Sequence, residues 1–225
     1  MNKEEIYQKR ILEFGTQEEK FRKITSKFPL YRLMVFLAGA FAFYFAFAIS
    51  IALAIGIALL FLICFVIVTK YDLKYNERRK HFSILKKINE QELKGLLGDY
   101  KIYNDGSRYQ NPEHPYASDL DIFGRASVFQ YINRTTSHAG SGILAEMLQL
   151  PAKLDEVNLR QDAIRELDLM IDWRQELQAS GIEFEENLHE QKEIFSWLKE
   201  DPCFLHSKVL SIVAVVLPLI TIGLL

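Results

Sequence analysis

The chain has 225 residues, of which 49% are hydrophobic, 12% aromatic and 25% charged, with a formal net charge of −2. That is too apolar for a disordered chain and too charged for one built only of membrane spans, so the two populations should be segregated along the sequence. Two cysteines, Cys64 in an apolar run and Cys203 beside Pro202, set no disulfide framework and read as reduced thiols of a cytosol-facing protein.

Residues 1–32 form a charged segment expected to be helical. Acids and bases are mixed in it, and no apolar core with a cleavage site follows, so it is not a secretory signal. Residues 33–69 then carry no charge at all. A single crossing needs about 20 apolar residues, and this run suits two short ones, a transmembrane helical hairpin. Split near Ser50, its arms are residues 33–49 and 51–68, each roughly 26 Å long at the helical rise; Gly56 is the alternative turn position. Lys20, Arg22, Lys23, Lys27 and Arg32 precede it. Lys70, Lys74, Arg78, Arg79, Lys80, Lys86 and Lys87 follow it. Two basic flanks place both ends in the cytoplasm, which requires an even number of crossings. Tyr31 and Tyr71 stand at interfacial positions. The competing reading, a hairpin buried inside a soluble protein, lacks enough chain to bury it.

Residues 70–111 read as a juxtamembrane helix and loop. The seven basic residues from Lys70 to Lys87 face only Asp72 and Glu77, a cluster suited to anionic lipid headgroups, with DNA contact as the alternative. Ile84, Leu85, Ile88, Leu93, Leu96 and Leu97 recur with helical spacing, so a helix should run from the membrane to about Gly98. Asn104-Asp105-Gly106 then signals a turn, and Pro112 and Pro115 forbid helix; a loop with a short strand on each side is expected.

Residues 112–206 read as a helical segment. Val128, Phe129, Tyr131 and Ile132 give one short apolar face. Thr135, Thr136 or Ser137 can cap a second helix that runs to Leu150 and is ended by Pro151. A long helix should begin at Asp155, with Val157, Ala163, Ile164, Leu167, Ile171 and Leu177 on one side, and close at Gly181 as its C′ residue. Another is expected over residues 184–199. The soluble region 70–206 holds 18 Lys and Arg against 24 Asp and Glu, a net of −6. Residues 208–225 are again uncharged after Lys208 and read as a third transmembrane segment, truncated, in a chain that is itself a fragment. The fold class is therefore mainly α.

No chemistry-bearing constellation emerges. His114, Asp119 and Asp121 match no closed zinc site and read as a turn. His189 with Glu190 and Glu193 lacks the second histidine of a helical metal motif. Asn133-Arg134-Thr135 fits a glycosylation acceptor but falls on the cytoplasmic side. Gly140-Ser141-Gly142 is not a phosphate-binding loop, and Ser127, Ser137 and Ser141 lack a nucleophile-elbow setting. No catalytic, cofactor-binding or metal-ligating residue is assigned.

The order of motifs over residues 112–181 resembles the core domain of the MutS family of mismatch-repair ATPases. Asp119-Leu120-Asp121-Ile122, followed by Phe123, is similar to the family's entry to the core. Asn133-Arg134-Thr135-Thr136-Ser137 is similar to its D/N-R-T-x-T element, and Gly140 opens the helix after it. Arg160-Gln161-Asp162-Ala163-Ile164-Arg165-Glu166-Leu167 resembles its R-Q-x-A-[IV]-x-E-L helix. With a membrane hairpin ahead, the chain looks most like the bacterial membrane-anchored branch. One departure is Ser141-Gly142-Ile143, where the family has a basic residue after the glycine; a glycine inside a helix costs about 1 kcal/mol against alanine.

The resemblance implies an ATPase domain downstream of Leu225 that binds ATP and Mg, DNA binding through that missing region, a homodimer, and a bacterial inner-membrane location. It implies that Arg134 and Arg160 bridge helices through carboxylates or helix C-termini, and that Asp121, Phe123 and Tyr131 fix the entry loop. A downstream domain in the cytoplasm would need a fourth crossing. The alternative is a non-enzymatic membrane scaffold whose helical domain binds a protein partner. A transporter is disfavoured, because no ionisable residue lies inside the hairpin.

Overall fold

The computed structural model describes residues 2–184 and 188–199, with positions 212, 213, 216 and 218. Helix dominates, and no strand occurs among the described residues. The strands expected beside the turn at residues 104–106 are replaced by loop and a short 3-10 turn, Ser107–Tyr109. The chain forms two units, residues 1–185 and 186–225. The expected third span, 208–225, lies outside the described residues apart from the four positions named.

Helix α1 (Lys3–Thr25) starts where Asn2 donates its backbone N–H to Glu5 (3.3 Å). Acids in its first turn and bases in its last suit the helix dipole. It lies antiparallel along the C-terminal half of α3 through a ladder of rings: Phe14 and Phe21 on Phe82, then Phe21 and, at the start of the next helix, Phe28 on Tyr75, with centroids 5.6 to 6.3 Å apart. Helix α2 (Phe28–Phe47) has Pro29 in its first turn, where a missing N–H costs nothing.

Helix α3 (Ile51–Leu96) is continuous over 46 residues, about 69 Å. Ser50 is its N-cap, so the hairpin turns at residues 48–50, and Gly56 lies within the helix. Helices α2 and α3 are both long and apolar enough to cross a membrane. At the open end of the hairpin Arg32 pairs with Asp72 at 2.8 Å, with Tyr31 and Tyr71 exposed beside them. Midway, Gly39 lets the Phe61 ring approach so closely that a Cβ there would lie 2.9 Å from Phe61 Cγ.

Past α3 the loop folds on a small core of Ala117, Ile122, Phe123, Phe129 and Ala145. Helices α4 (Val128–Ile132) and α5 (His138–Gln149) are capped by Ser127 and Ser137, whose hydroxyls accept from Gln130 N (3.2 Å) and Gly140 N (3.0 Å). A second core joins Ile84, Leu85 and Ile88 of α3 to Ala179 of α7.

The long helix expected from Asp155 to Gly181 is in fact two, α6 (Leu154–Asp168) and α7 (Ile171–Glu183). The break frees α7 to turn Gln175 and Ala179 toward α3, and tertiary packing overrides a sequence with no breaker at the junction. Gly181 is not a C′ residue. It lies inside α7, where a Cβ would fall 1.9 Å from Thr136 Oγ1; glycine is there for close approach of the loop after α4. The apolar stripe drawn along α6 is largely unburied, with Ile164 66% exposed. In the second unit, α8 (Leu188–Lys199) begins later than residue 184, residues 185–187 lying outside the described set, and leaves Ile194, Trp197 and Leu198 exposed.

Gly181→Ala should destabilise the protein by about 1–3 kcal/mol, because Thr136 must be displaced. Denaturant unfolding of the detergent-solubilised chain, followed by Trp173 fluorescence, measures this; an unchanged midpoint would mean that the contact yields freely.

Candidate functional site

Three helices each place two side chains three residues apart, hence on one face. They are Tyr7 and Arg10 of α1, Asn89 and Glu92 of α3, and Asp172 and Gln175 of α7. Because α1 runs opposite to α3, the pairs stack into two polar layers.

The inner layer is an amide pair. Asn89, fully buried, donates to Gln175 Oε1 (2.9 Å), and Gln175 donates back to Asn89 Oδ1 (2.9 Å). The second Asn89 amide hydrogen goes to Leu85 O (2.8 Å). Arg10 Nε completes the set on Gln175 Oε1 (2.9 Å), while its Nη1 meets Asp172 at 2.6 Å.

The outer layer centres on Arg134, in the loop after α4. Its guanidinium meets the Glu92 carboxylate at 2.5 Å and 3.3 Å, a bidentate contact. It also donates to Tyr131 O (2.9 Å) and Asn133 O (3.0 Å) and lies over the Tyr103 ring, 3.7 Å from the centroid. Tyr103 is placed by Gln130, whose amide donates to Tyr103 O (2.7 Å) and Lys101 O (3.2 Å). The Tyr103 hydroxyl is buried with no hydrogen-bond partner. Burial first, then the Glu92 charge, push its pKa well above the ordinary tyrosine value; the same two causes raise that of Tyr7.

The motif residues divide between this cluster and the surface. Asn133 is buried; its Oδ1 accepts from Thr135 N (3.0 Å) and Thr135 Oγ1 (2.7 Å), and its Nδ2 donates to Asn104 O (3.2 Å). Asn133, Arg134 and Thr135 thus form one rigid bend at the cluster. Phe123 is buried against Phe129 and Tyr109. Asp121 has left-handed backbone (φ 47°) held by Val128 N donating to its carbonyl (3.1 Å). Asp119 is exposed in the turn before it, and Tyr131, itself exposed, meets the Tyr100 ring in an edge-on arrangement. His114 serves that turn, its Nδ1 accepting from Ala117 N (3.2 Å). Gly140 sits in the first turn of α5, where a Cβ would be 3.1 Å from the Ser137 hydroxyl.

The α6 residues stand apart. Arg160 pairs with Glu156 of its own helix rather than bridging to another, and Gln161 and Glu166 are exposed. The basic residues after the hairpin also divide. Lys70, Lys74, Arg78 and Lys87 are exposed, and Arg79 is half-buried. Lys80 reaches Glu183 O at the C-terminus of α7 (3.5 Å), and Lys86 turns to Glu18 of α1 (3.2 Å). At the helical rise Lys87 lies about 26 Å along α3 from Lys70, so only the first turns of the cluster stand near the end of the apolar hairpin.

Glu92, Tyr103, Tyr7, Arg10, Asn89 and Gln175 were not singled out by motif. The one available signal was a polar residue, Asn89, inside the apolar stripe of Leu85 and Ile88. Among the described residues, no group of three His, Cys, Asp or Glu side chains converges as a metal site would require. The cluster holds three helices and a loop together and presents no nucleophile beside a base. No protein-family model matches the chain, and no curated protein or solved structure matches it either.

Two measurements probe the layers. Asn89→Leu and Gln175→Leu should each cost about 1–3 kcal/mol by orphaning the other amide, while the double variant recovers much of it; additive losses in a double-mutant cycle would refute the pairing. Tyr103→Phe keeps the ring under Arg134 and removes the orphan hydroxyl, so at neutral pH it should be neutral or stabilising by up to about 1 kcal/mol. The raised pKa means that the native state holds this proton longer than the unfolded chain. Its contribution is therefore complete below about pH 10 and falls as pH rises beyond that. Urea midpoints at pH 8 and pH 11 should converge in Tyr103→Phe relative to the parent.

Proposed function

We propose that this chain is the membrane anchor and partial core of a MutS-like ATP-dependent DNA-binding protein with a mismatch-repair or damage-sensing role. On this reading it sits in a bacterial inner membrane with residues 70–206 in the cytoplasm. The observation that carries the proposal is the Arg134–Glu92 contact. The arginine of the MutS-like bend grips the same helix that forms half of the hairpin, so the core begins at the anchor. The chain's part is to hold the ATPase at the bilayer and to pass its nucleotide state along α3. ATP and Mg would bind beyond Leu225, and the net charge of −6 over residues 70–206 puts DNA phosphate contacts there too. Homodimerisation belongs to the same proposal. Lys70 and Lys74 are the residues best placed for anionic headgroups.

A second reading is favoured by one observation. Leu154, Leu159 and Ile164 of α6 are each at least 66% exposed, a face on which a protein partner of a non-enzymatic scaffold could dock.

The native protein, captured from solubilised membranes with an antibody to residues 112–184, decides between them. The ATPase reading expects ATP hydrolysis that mismatched duplex DNA stimulates more than matched duplex. Membrane retention with a co-purifying partner and no ATP binding would overturn it in favour of the scaffold.

A further inference from the structure

The hairpin tip is subject to two opposed constraints. Its side chains avoid water: Phe47, Ile49 and Ile51 are 59%, 77% and 64% exposed, and Ser50 is the one polar side chain of the turn. Its backbone avoids hydrocarbon. Ile49 N and Ser50 N both donate to Ala46 O (3.0 and 2.9 Å), but Ser50 gives α3 no side-chain cap. The opening amides of α3 therefore need polar partners that lipid tails cannot supply.

Length selects one depth. Residues 33–47 of α2 rise about 22 Å and residues 51–68 of α3 about 27 Å, against a hydrocarbon core of about 30 Å. From the Arg32–Asp72 pair at the cytoplasmic face, α3 rises about 33 Å between Asp72 and Ser50, and α2 with the turn about 27 Å between Arg32 and Ser50, so the tip comes level with the far boundary and has nothing left to extend beyond it. Tyr44, 74% exposed within the aromatic run 41–47, sits one turn before the tip, where an interfacial ring belongs.

We infer that the turn at residues 48–50 rests in the headgroup layer of the distal leaflet, and that the aromatic end of the hairpin is an interaction surface for that leaflet's lipid with no segment in the water beyond. This rests on the membrane reading above. It makes the hairpin an anchor that no soluble ligand on the far side can address.

The test uses the full chain with Cys64→Ala and Cys203→Ala, carrying S50C or, as a cytoplasmic control, K74C. A membrane-impermeant polyethylene-glycol maleimide should modify S50C in intact spheroplasts and in inside-out vesicles at least about tenfold more slowly than in detergent, while K74C reacts readily in the vesicles. A fluorophore on S50C should be quenched more by headgroup-labelled than by acyl-end-labelled nitroxide lipid. Rapid modification of S50C from outside would overturn the inference while leaving the hairpin membrane-embedded. Rapid modification from the cytoplasmic side would overturn both the inference and the membrane reading. Stronger quenching by the acyl-end label would place the tip in hydrocarbon and overturn the inference alone.

Discussion

An amide side chain at the centre of an apolar helix interface has only one tolerable state, with every donor and acceptor engaged. Asn89 occupies that state: one hydrogen to its own helix, one to Gln175, and its oxygen taken by Gln175 in return. The apolar contacts around it, Leu85 and Ile88 against Ala179, could be made nearly as well one turn away, since leucine-like surfaces are forgiving. The amide pair could not. A slip of one turn, about 5.4 Å, would leave several buried groups unpaired at about 1–3 kcal/mol each. Arg10, bonded to the same Gln175 oxygen, brings α1 into the same register. The break between α6 and α7 follows from this, because only a separately oriented α7 can present Gln175 to α3.

The outer layer converts that register into a link between the globular loop and helix α3. Arg134 and Glu92 are both partly shielded, so their contact exceeds what an exposed pair offers, while losing either partner leaves the other charge stranded. Gly95 belongs to the same arrangement: a Cβ there would stand 3.5 Å from the guanidinium.

How much of this was legible depends on what each feature rests on. The hairpin, its turn at Ser50, the helix running on past the apolar segment and the Ser137-capped helix rest on local rules, namely charge-free length, periodicity and capping, and the structure places them where those rules do. Apart from the strands expected beside residues 104–106, a local misreading, the failures are tertiary. Gly181 has the look of a helix terminator, yet its role is set by Thr136, distant in sequence. The stripe of α6 reads as a buried face and is open. Glu92 and Tyr103 carry no motif, and their importance exists only once Arg134 arrives beside them. The bend at Asn133-Arg134-Thr135 was visible as a motif; its partner was not.

Within a bilayer the hairpin would lack the driving force that assembles the remaining helices, because lipid tails are as apolar as its side chains. What remains is close packing and closure at the ends. Close packing is supplied where Phe61 lies on the bare backbone of Gly39, the tip is closed by a three-residue turn, and the base by Arg32 and Asp72. With both ends tied and no charge between them, α2 and α3 have little reason to slide past one another. Helix α3 then continues with no proline through its C-terminal half to Asn89 and Glu92. Any displacement of those two residues is therefore met by the full length of α3, and the hairpin fixes the position at which the loop carrying Arg134 docks.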